Sequence, residues 1–386
     1  MRAMDDHLLS TPSGRPRARA LGVPFRGEPG RWNALTDVAG VEVGYTTLVH
    51  GEGVRTGVTA ILPRGRDGVG VPCAAGWFSF NGNGEMTGTA WISESGALDS
   101  PVMITNTHAV GAVHTGVIDW VKTHRPELAE QWLLPVVAET YDGELNDING
   151  GHVRPEHAVA ALDAARIGPV DEGSVGGGTG MICHGFKGGS GTASRVVGYG
   201  PDRYTVAAFV QANYGARREL TVAGVPLTDE PDPHAEPAAR PSRTPPGAGS
   251  VIVVLATDAP LLPGQCTALA RRATLGIGRS GTTGSHFSGD LFLAFSTANA
   301  GALTSTFPAG AMTGDEYEQL RFVPWGRIDR FYTAAVEAVE EAVVDVLVAN
   351  EDMVGYRGHR VPALPHDLVR AAAARAREGR GGRLDP

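Results

Sequence analysis

A proline-rich segment interrupts the chain shortly before its most apolar run. Residues 228–249, TDEPDPHAEPAARPSRTPPGAG, contain six prolines and several charges, and VIVVLA follows at 251–256. A segment of this composition cannot bury enough apolar surface to order itself, so it predicts a linker. The predicted linker ends at Gly249, so Ser250 would stand at the first position of a predicted core strand.

Short β-branched runs alternate with helical patterns along the rest of the chain. Strands are predicted at 41–48, 58–63, 204–212, 251–256 and 291–296. Apolar spacing predicts four helices: Val110 to Val121, Pro155 towards a capping Gly168, one that follows Pro263, and Ile328 to Val346. These patterns predict an α/β (α+β) protein in which two sheets are covered by helices.

Composition narrows the classes of function. A net charge of −9 without interleaved basic and aromatic residues argues against a nucleic-acid partner. No run reaches the ~20 apolar residues of a membrane span, and the first residues lack the apolar stretch of a signal peptide. Three cysteines without short spacing indicate neither a disulfide framework nor a zinc site, so we expect a cytoplasmic protein.

Cofactor motifs are also missing from the sequence. The twelve histidines show no ligand spacing and no HExxH, so we expect no metal. The glycine-rich run 174–195 fits neither the dinucleotide fingerprint nor the P-loop, and its glycines are interpreted as tight turns. His184 and His286 are interpreted as structural residues, and the predicted mechanism needs no cofactor.

Cleavage of the bond between Gly249 and Ser250 would give the serine a hydroxyl nucleophile and a free amine. An N-terminal amine has a reference pKa of ~7.7–8.0, which suits a base at neutral pH. The Ser250 hydroxyl could itself attack the Gly249 carbonyl, and glycine on the acyl side minimises crowding there.

Five segments of the chain resemble one family. They are NALTDVAGVEVG (33–44), FNGNGEMTG (80–88), VVAETYDGELNDI (136–148), GSVIVVLATDAPLLPGQ (249–265) and HFSGDLFLAFST (286–297). They resemble the L-aminopeptidase/D-amidase-esterase and β-peptidyl aminopeptidase family, and the resemblance runs from about residue 30 to 350.

The resemblance implies a precursor that splits into two chains. These chains stay associated as one composite domain, a four-layer αββα sandwich that resembles N-terminal-nucleophile hydrolases. In this sequence the two chains would be 1–249 and 250–386. The family tends to form tetramers of the two-chain unit, so a homo-oligomer is expected.

The resemblance also implies roles for four residues. Ser250 is the nucleophile, and Ser288 and Asp290 form a hydrogen-bonded network that orients the Ser250 amine and relays its proton. Some members carry glutamate where this sequence has Asp290. Asn213 matches the asparagine that stabilises the oxyanion.

Substrate-binding candidates lie in two segments. Tyr141 matches a tyrosine near the active site of some members, and Glu139 is a candidate anchor for the substrate ammonium, with Asp142 or Asp147 as alternatives. Further candidates for the pocket lining are Asn81, Glu85 and Trp91.

The sequence therefore predicts a self-cleaving aminopeptidase or amidase that acts on short peptides, amides or esters through an acyl-enzyme on Ser250. Two alternatives remain open at this stage. One is an acyltransferase of the ornithine acetyltransferase type, whose members use a threonine nucleophile. The other is a catalytically silent binding protein of the same fold.

Overall fold

A computed structural model describes residues 6–227, 245, 247–308, 310–312, 314 and 316–381. Its strands are β1 Glu42–His50, β2 Val54–Leu62, β3 Cys73–Gly82, β4 Ala97–Leu98, β5 Val102–Asn106, β6 Val136–Thr140, β7 Ile182–Cys183, β8 Phe186–Lys187, β9 Gly189–Tyr199, β10 Asp202–Gly215, β11 Thr221–Val222, β12 Val225–Pro226, β13 Gly247–Thr257, β14 Ser288–Ser296, β15 Met353–Val354 and β16 Arg360–Val361.

The helices are α1 Asp6–Leu9, α2 Thr89–Ser95, α3 Val110–His124, α4 Pro155–Asp163, α5 Pro263–Ala270, α6 Ala273–Arg279, α7 Asp329–Val348 and α8 His366–Gly381. Short 3₁₀ turns lie at Ala18–Leu21, Leu35–Asp37, Thr107–Ala109, Leu128–Glu130, Ile148–Gly150, Gly176–Gly178, Arg217–Glu219, Trp325–Arg327 and Tyr356–Gly358.

Two sheets form the centre of the molecule. One has four strands in the order β1-β2-β5-β6, and the other has six in the order β4-β3-β14-β13-β10-β9. Within the larger sheet β13 runs parallel to β14 and antiparallel to β10. The strand that follows the predicted linker is therefore an interior strand.

Three apolar layers separate the sheets and helices. Side chains alternate along β10: Ala207 and Phe209 pack between the two sheets, and Val206 and Ala208 pack on the other face towards α5, α6 and α7. The outer face of the four-stranded sheet packs against α3 and α4. The predicted four-layer αββα sandwich is confirmed.

Some predicted boundaries differ from the structure. The helix after Pro155 ends at Asp163, well before Gly168, because Arg166 exchanges main-chain hydrogen bonds with Val43. The helix after Pro263 divides into α5 and α6, since the N–H of Arg272 bonds to the Leu269 carbonyl in a tighter turn.

The predicted linker is only partly described. Residues 228–244 and 246 lie outside the described residues. Residues 247–249 belong to β13, which starts four residues before the predicted strand because Gly247 pairs with Gly215 at the end of β10. The bond before Ser250 thus lies within a strand.

A buried ionic cluster joins the first part of the chain to the long helix α7. Arg195 Nη2 lies 2.6 Å from Glu341 Oε2, and Arg17 Nη2 lies 3.0 Å from Asp345 Oδ2. The ionic cluster comprises Arg17, Arg19, Glu172, Arg195, Glu341 and Asp345. Its arginines all precede residue 249, whereas Glu341 and Asp345 follow it.

Replacement of Glu341 by glutamine is expected to lower the free energy of unfolding by about 3–5 kcal/mol, because two arginines lose a buried partner. Burial alone would raise the pKa of Glu341, but Arg195 and Arg19 outweigh burial and lower it to about 2. The stabilisation is therefore present above pH 4.5, the ordinary pKa, and is lost as the pH falls towards about 2. Urea unfolding at several pH values measures both effects.

Glu340→Gln is the matched control for this experiment. Glu340 pairs with Arg279 near the surface, so its loss should cost less than about 1 kcal/mol. Equal costs for the two variants would show that the ionic cluster does not contribute in this way.

Candidate active site

Ser250 lies near the start of β13, between two neighbouring strands. Across the antiparallel pair it faces Asn213 of β10, and across the parallel pair it faces Gly289 of β14. Gly249 faces Ser288 in the same register. The sheet thus places Ser250, Asn213 and the start of β14 side by side.

Gly249 occupies a position that no other residue fits. Its φ is +154°, and a Cβ on it would lie 1.8 Å from the main-chain oxygen of Asn213. The strand register shifts at this point, between Asn213 and Gly215. The main chain before Ser250 therefore packs directly on the strand that carries Asn213.

Ser288 and Asn81 both form hydrogen bonds with Asp290. Ser288 Oγ donates to Asp290 Oδ1 at 2.6 Å, and Asn81 Nδ2 donates to Asp290 Oδ2 at 2.7 Å. Across the parallel pair of β13 and β14, Asp290 faces Val251. Burial raises the pKa of Asp290, and the bonds from Ser288 and Asn81 partly oppose that rise. Asp290 thus lies beside β13, opposite the residue that follows Ser250.

The amide of Asn213 is oriented by two main-chain groups. The N–H of Ile182 donates to Asn213 Oδ1 at 2.8 Å, and Asn213 Nδ2 donates to the Tyr141 carbonyl at 2.9 Å. An N–H can only donate and a carbonyl can only accept, so these partners fix which side of the amide carries the hydrogens.

Glu139 is the penultimate residue of β6 and lies next to the turn at Asn83 and Gly84, which covers Gly289. Its carboxylate accepts hydrogen bonds from the Thr107 hydroxyl and, at 3.0 Å, from the N–H of Glu85. A Cβ on Gly84 would lie 3.1 Å from Glu139 Oε1 and 3.2 Å from the Cα of Gly289. Burial raises the pKa of Glu139, which is only 2% exposed. This carboxylate therefore lies close to the register partner of Ser250.

The alternative carboxylates occupy other surroundings. Asp142 is buried and accepts a hydrogen bond from Asn146, and burial raises its pKa to about 7. Asp147 is half-buried, with an oxygen 3.9 Å from His152 Nε2. Glu139 is thus the candidate that contacts the turn over Gly289.

The remaining pocket candidates are more exposed. Tyr141 is 37% exposed, and Glu85 is exposed while its N–H bonds to Glu139. Trp91 packs against Trp132 with ring centroids 5.8 Å apart, in an aromatic group that includes Phe307. The structure does not bring Trp91 into the hydrogen-bonded groups described above.

Two contacts were not predicted from the sequence. Thr107, the donor to Glu139, follows β5, whose end pairs in parallel with the end of β6. Parallel pairing brings those strand ends together, so knowledge of the pairing would have found Thr107. Ile182 acts through its main chain, for which no side-chain pattern exists.

The two histidines lie in different surroundings. His184 is buried, its Nδ1 lies 3.2 Å from the Ala216 carbonyl, and burial lowers its pKa to about 4. The His286 ring packs against Phe287 at 5.1 Å. Among the described residues no group of three or more His, Cys, Asp or Glu could bind a metal ion. Within the same residues, no helix is both long and apolar enough to cross a membrane.

A four-layer fold with a serine near the start of an interior strand is the fold of the class of N-terminal-nucleophile hydrolases. The fold is shared with the L-aminopeptidase D-Ala-esterase/amidase of Ochrobactrum anthropi, a prototype serine aminopeptidase with a variant of that hydrolase fold. This structure has a TM-score of 0.84 and 46% identity, over 94% of this chain and 99% of that chain. A Burkholderia sp. β-aminopeptidase matches with a TM-score of 0.83 and 46% identity, over 95% and 100% of the two chains.

Sequence comparison leads to the family. Residues 33–361 match Peptidase family S58. The β-peptidyl aminopeptidase BapA of Sphingosinicella microcystinivorans is 50% identical over 92% of this chain and 91% of its own length. The chain belongs to peptidase family S58 and is an enzyme of the serine aminopeptidase and amidase type, with peptides as substrates.

Proposed function

We propose that the chain cleaves itself between Gly249 and Ser250 and then uses Ser250 as an N-terminal nucleophile. In the first step Ser250 Oγ attacks the Gly249 carbonyl carbon, the peptide C–N bond breaks, and the Ser250 nitrogen takes the hydroxyl proton. The resulting ester is hydrolysed by water, which leaves a carboxylate on Gly249 and a free amine and hydroxyl on Ser250.

The close packing of Gly249 on the main chain of Asn213 supports this proposal most directly, because Asn213 is the residue assigned to stabilise the oxyanion. Intact mass of the purified protein tests it. We expect two chains of 249 and 386 − 249 = 137 residues. A wild-type chain that stays whole, with no free amine at Ser250, would overturn the proposal.

Turnover would use the same atoms. The Ser250 hydroxyl attacks the substrate carbonyl, and its proton passes to the α-amine. The α-amine gives that proton to the leaving amine as the C–N bond breaks and the acyl-enzyme forms, and water then hydrolyses the ester. Asn213 Nδ2 carries two hydrogens and gives one to Tyr141, so the second is assigned to the oxyanion. Ser288 and Asp290 are assigned to orient the Ser250 amine, since they bond to each other and face Gly249 and Val251, the neighbours of Ser250, across the parallel pair.

Glu139 is assigned to bind the free amino group of the substrate. A desolvated ammonium needs a partner, and this buried carboxylate lies beside Gly289, opposite Ser250 in the sheet. The substrates proposed are therefore short peptides, amides or esters that begin with a free amine, and Tyr141, Asn81 and Glu85 are proposed to line their site.

Replacement of Glu139 by glutamine is expected to raise KM for an aminoacyl p-nitroanilide by about tenfold, because a charge-assisted bond becomes a neutral one. In the wild type KM should rise as the pH falls through the pKa of Glu139, which burial places above 4.5. Steady-state kinetics at several pH values measure both effects. Asp147→Asn is the matched control and should leave KM unchanged; an equal rise in both variants would exclude Glu139 as the specific anchor.

The two chains are proposed to stay together as one composite domain. Strand β13 of the 250–386 chain would remain paired with β10 of the 1–249 chain, and the ionic cluster spans the same two chains. A homo-tetramer and a cytoplasmic location are proposed as well, the latter on the three free cysteines. Light scattering on the processed protein tests the tetramer.

A further inference from the structure

Lys187 on β8 is fully buried and bonded to main-chain oxygens. Its Nζ donates to the Met181 carbonyl at 3.0 Å and to the Gly188 carbonyl at 2.6 Å. Burial lowers the pKa of Lys187 to about 7. Burial of an amine costs free energy, and the proposed reaction gives Lys187 no role.

One peptide group links Lys187 to Asn213. The Met181 carbonyl that accepts from Lys187 belongs to the same peptide unit as the Ile182 N–H, which donates to Asn213 Oδ1 at 2.8 Å. The other end of the Asn213 amide is the Nδ2 group assigned to the oxyanion. Three hydrogen-bonding groups therefore form a continuous chain from Lys187 Nζ to the reaction centre.

We propose that Lys187 is a positioning residue, which holds and polarises the 181–182 peptide so that the Asn213 amide donates more strongly to the oxyanion. This inference rests on the proposed function of Asn213. Hydrogen bonds in a chain polarise one another, most of all in a dry interior. A donor on the Met181 oxygen makes the Ile182 N–H more acidic, and that N–H in turn draws charge from the Asn213 amide.

The same contacts restrict the position of the peptide. The N–H of Gly188 also donates to the Met181 carbonyl, at 2.9 Å, so the β7–β8 hairpin closes on that oxygen. Asn350 Nδ2 donates to the Lys187, Gly188 and Val346 carbonyls, and the Met181 carbonyl is not among its acceptors. Loss of Lys187 would thus remove a donor from the 181–182 peptide that bonds to Asn213. Loss of Asn350 would remove bonds to the hairpin, to α7 and to Ser174, and would leave the donors to that peptide in place.

Lys187→Met tests the proposal, because methionine has a similar length and no donor. In processed enzyme we expect kcat for an aminoacyl p-nitroanilide to fall about tenfold with KM within about twofold, less than the 10²–10³ that loss of an oxyanion donor costs. In an Asn213→Ala background Lys187→Met should cause no further loss of kcat. If kcat of the double variant falls by the product of the two single losses, Lys187 acts independently of Asn213, and the proposal is overturned.

Asn350→Ala is the matched control, since Asn350 is a buried donor that bonds to the same hairpin. It should lower the melting temperature and leave kcat unchanged, and a parallel fall in kcat would mean that hairpin stability alone matters. Lys187→Gln keeps an N–H donor, so it provides the same kinetic test, with a smaller loss, if the methionine variant does not fold. A wild type that is cut and active, with Lys187→Met equal to it, overturns this inference alone; an inactive wild type overturns the proposed function as well.

Discussion

Ser250→Ala is expected to remain a single chain of 386 residues and to lose turnover by about 10⁶-fold, the cost of removing the nucleophile of a serine hydrolase. The variant lacks the oxygen that attacks Gly249 and the oxygen that would carry the acyl group. Its fold should persist, because one hydroxyl is removed from a strand whose apolar residues remain buried. Intact mass and hydrolysis of aminoacyl p-nitroanilides measure the two losses.

Ser296→Ala serves as the control for that experiment. Ser296 is a buried serine at the far end of β14, where its Oγ donates to the Ala259 carbonyl at 2.6 Å. Its loss should leave both cleavage and turnover in place. A Ser250→Ala protein that still splits, or that still hydrolyses substrate, would contradict the proposed mechanism.

Gly249→Ala is expected to slow self-cleavage by at least about 10²-fold. The new Cβ would meet the Asn213 oxygen at 1.8 Å, so β13 must move away from β10. A displacement of about 1 Å at a reacting group costs about this much in rate. Overpacking should also lower the free energy of unfolding by about 1–3 kcal/mol. The time course of chain splitting, followed by denaturing gel electrophoresis after synthesis, measures the rate.

Gly264→Ala is the matched substitution, because a Cβ on Gly264 at the start of α5 meets no atom within 4 Å. It should be cut at the wild-type rate. If Gly249→Ala is also cut at that rate, the close packing on Asn213 is not what positions the bond.

The layers of the fold could be predicted because their sequence patterns are local. Apolar runs such as 251–256 and 291–296 are buried on both faces, and such runs predict strands. The apolar residues of α7 recur at helical spacing, which predicts a helix. The boundaries depended on contacts between distant residues. The end of α4 is set by Val43, and the start of β13 is set by Gly215.

The side chains of the candidate site could be predicted from the sequence, but the groups that hydrogen-bond to them could not. The resemblance predicts roles for Ser250, Ser288, Asp290 and Asn213, which stay predictions. The register of β10, β13 and β14 brings the four residues together. The supports are main-chain groups, such as the Ile182 N–H, or side chains that meet the site through sheet pairing. Residue identity alone carries no signal for either kind of contact.

The positions of the charged residues in the ionic cluster affect how the two-chain enzyme would assemble and how long it would stay folded. Its arginines lie before the proposed cut, and two of its carboxylates lie after it. The cluster and the β10–β13 pairing would assemble more readily before the cut, since one polymer then tethers the two halves at high effective concentration. Once separated, the fragments would have to find each other as a bimolecular reaction. The working enzyme would therefore persist because it unfolds slowly, and its lifetime would be a kinetic property and not an equilibrium one.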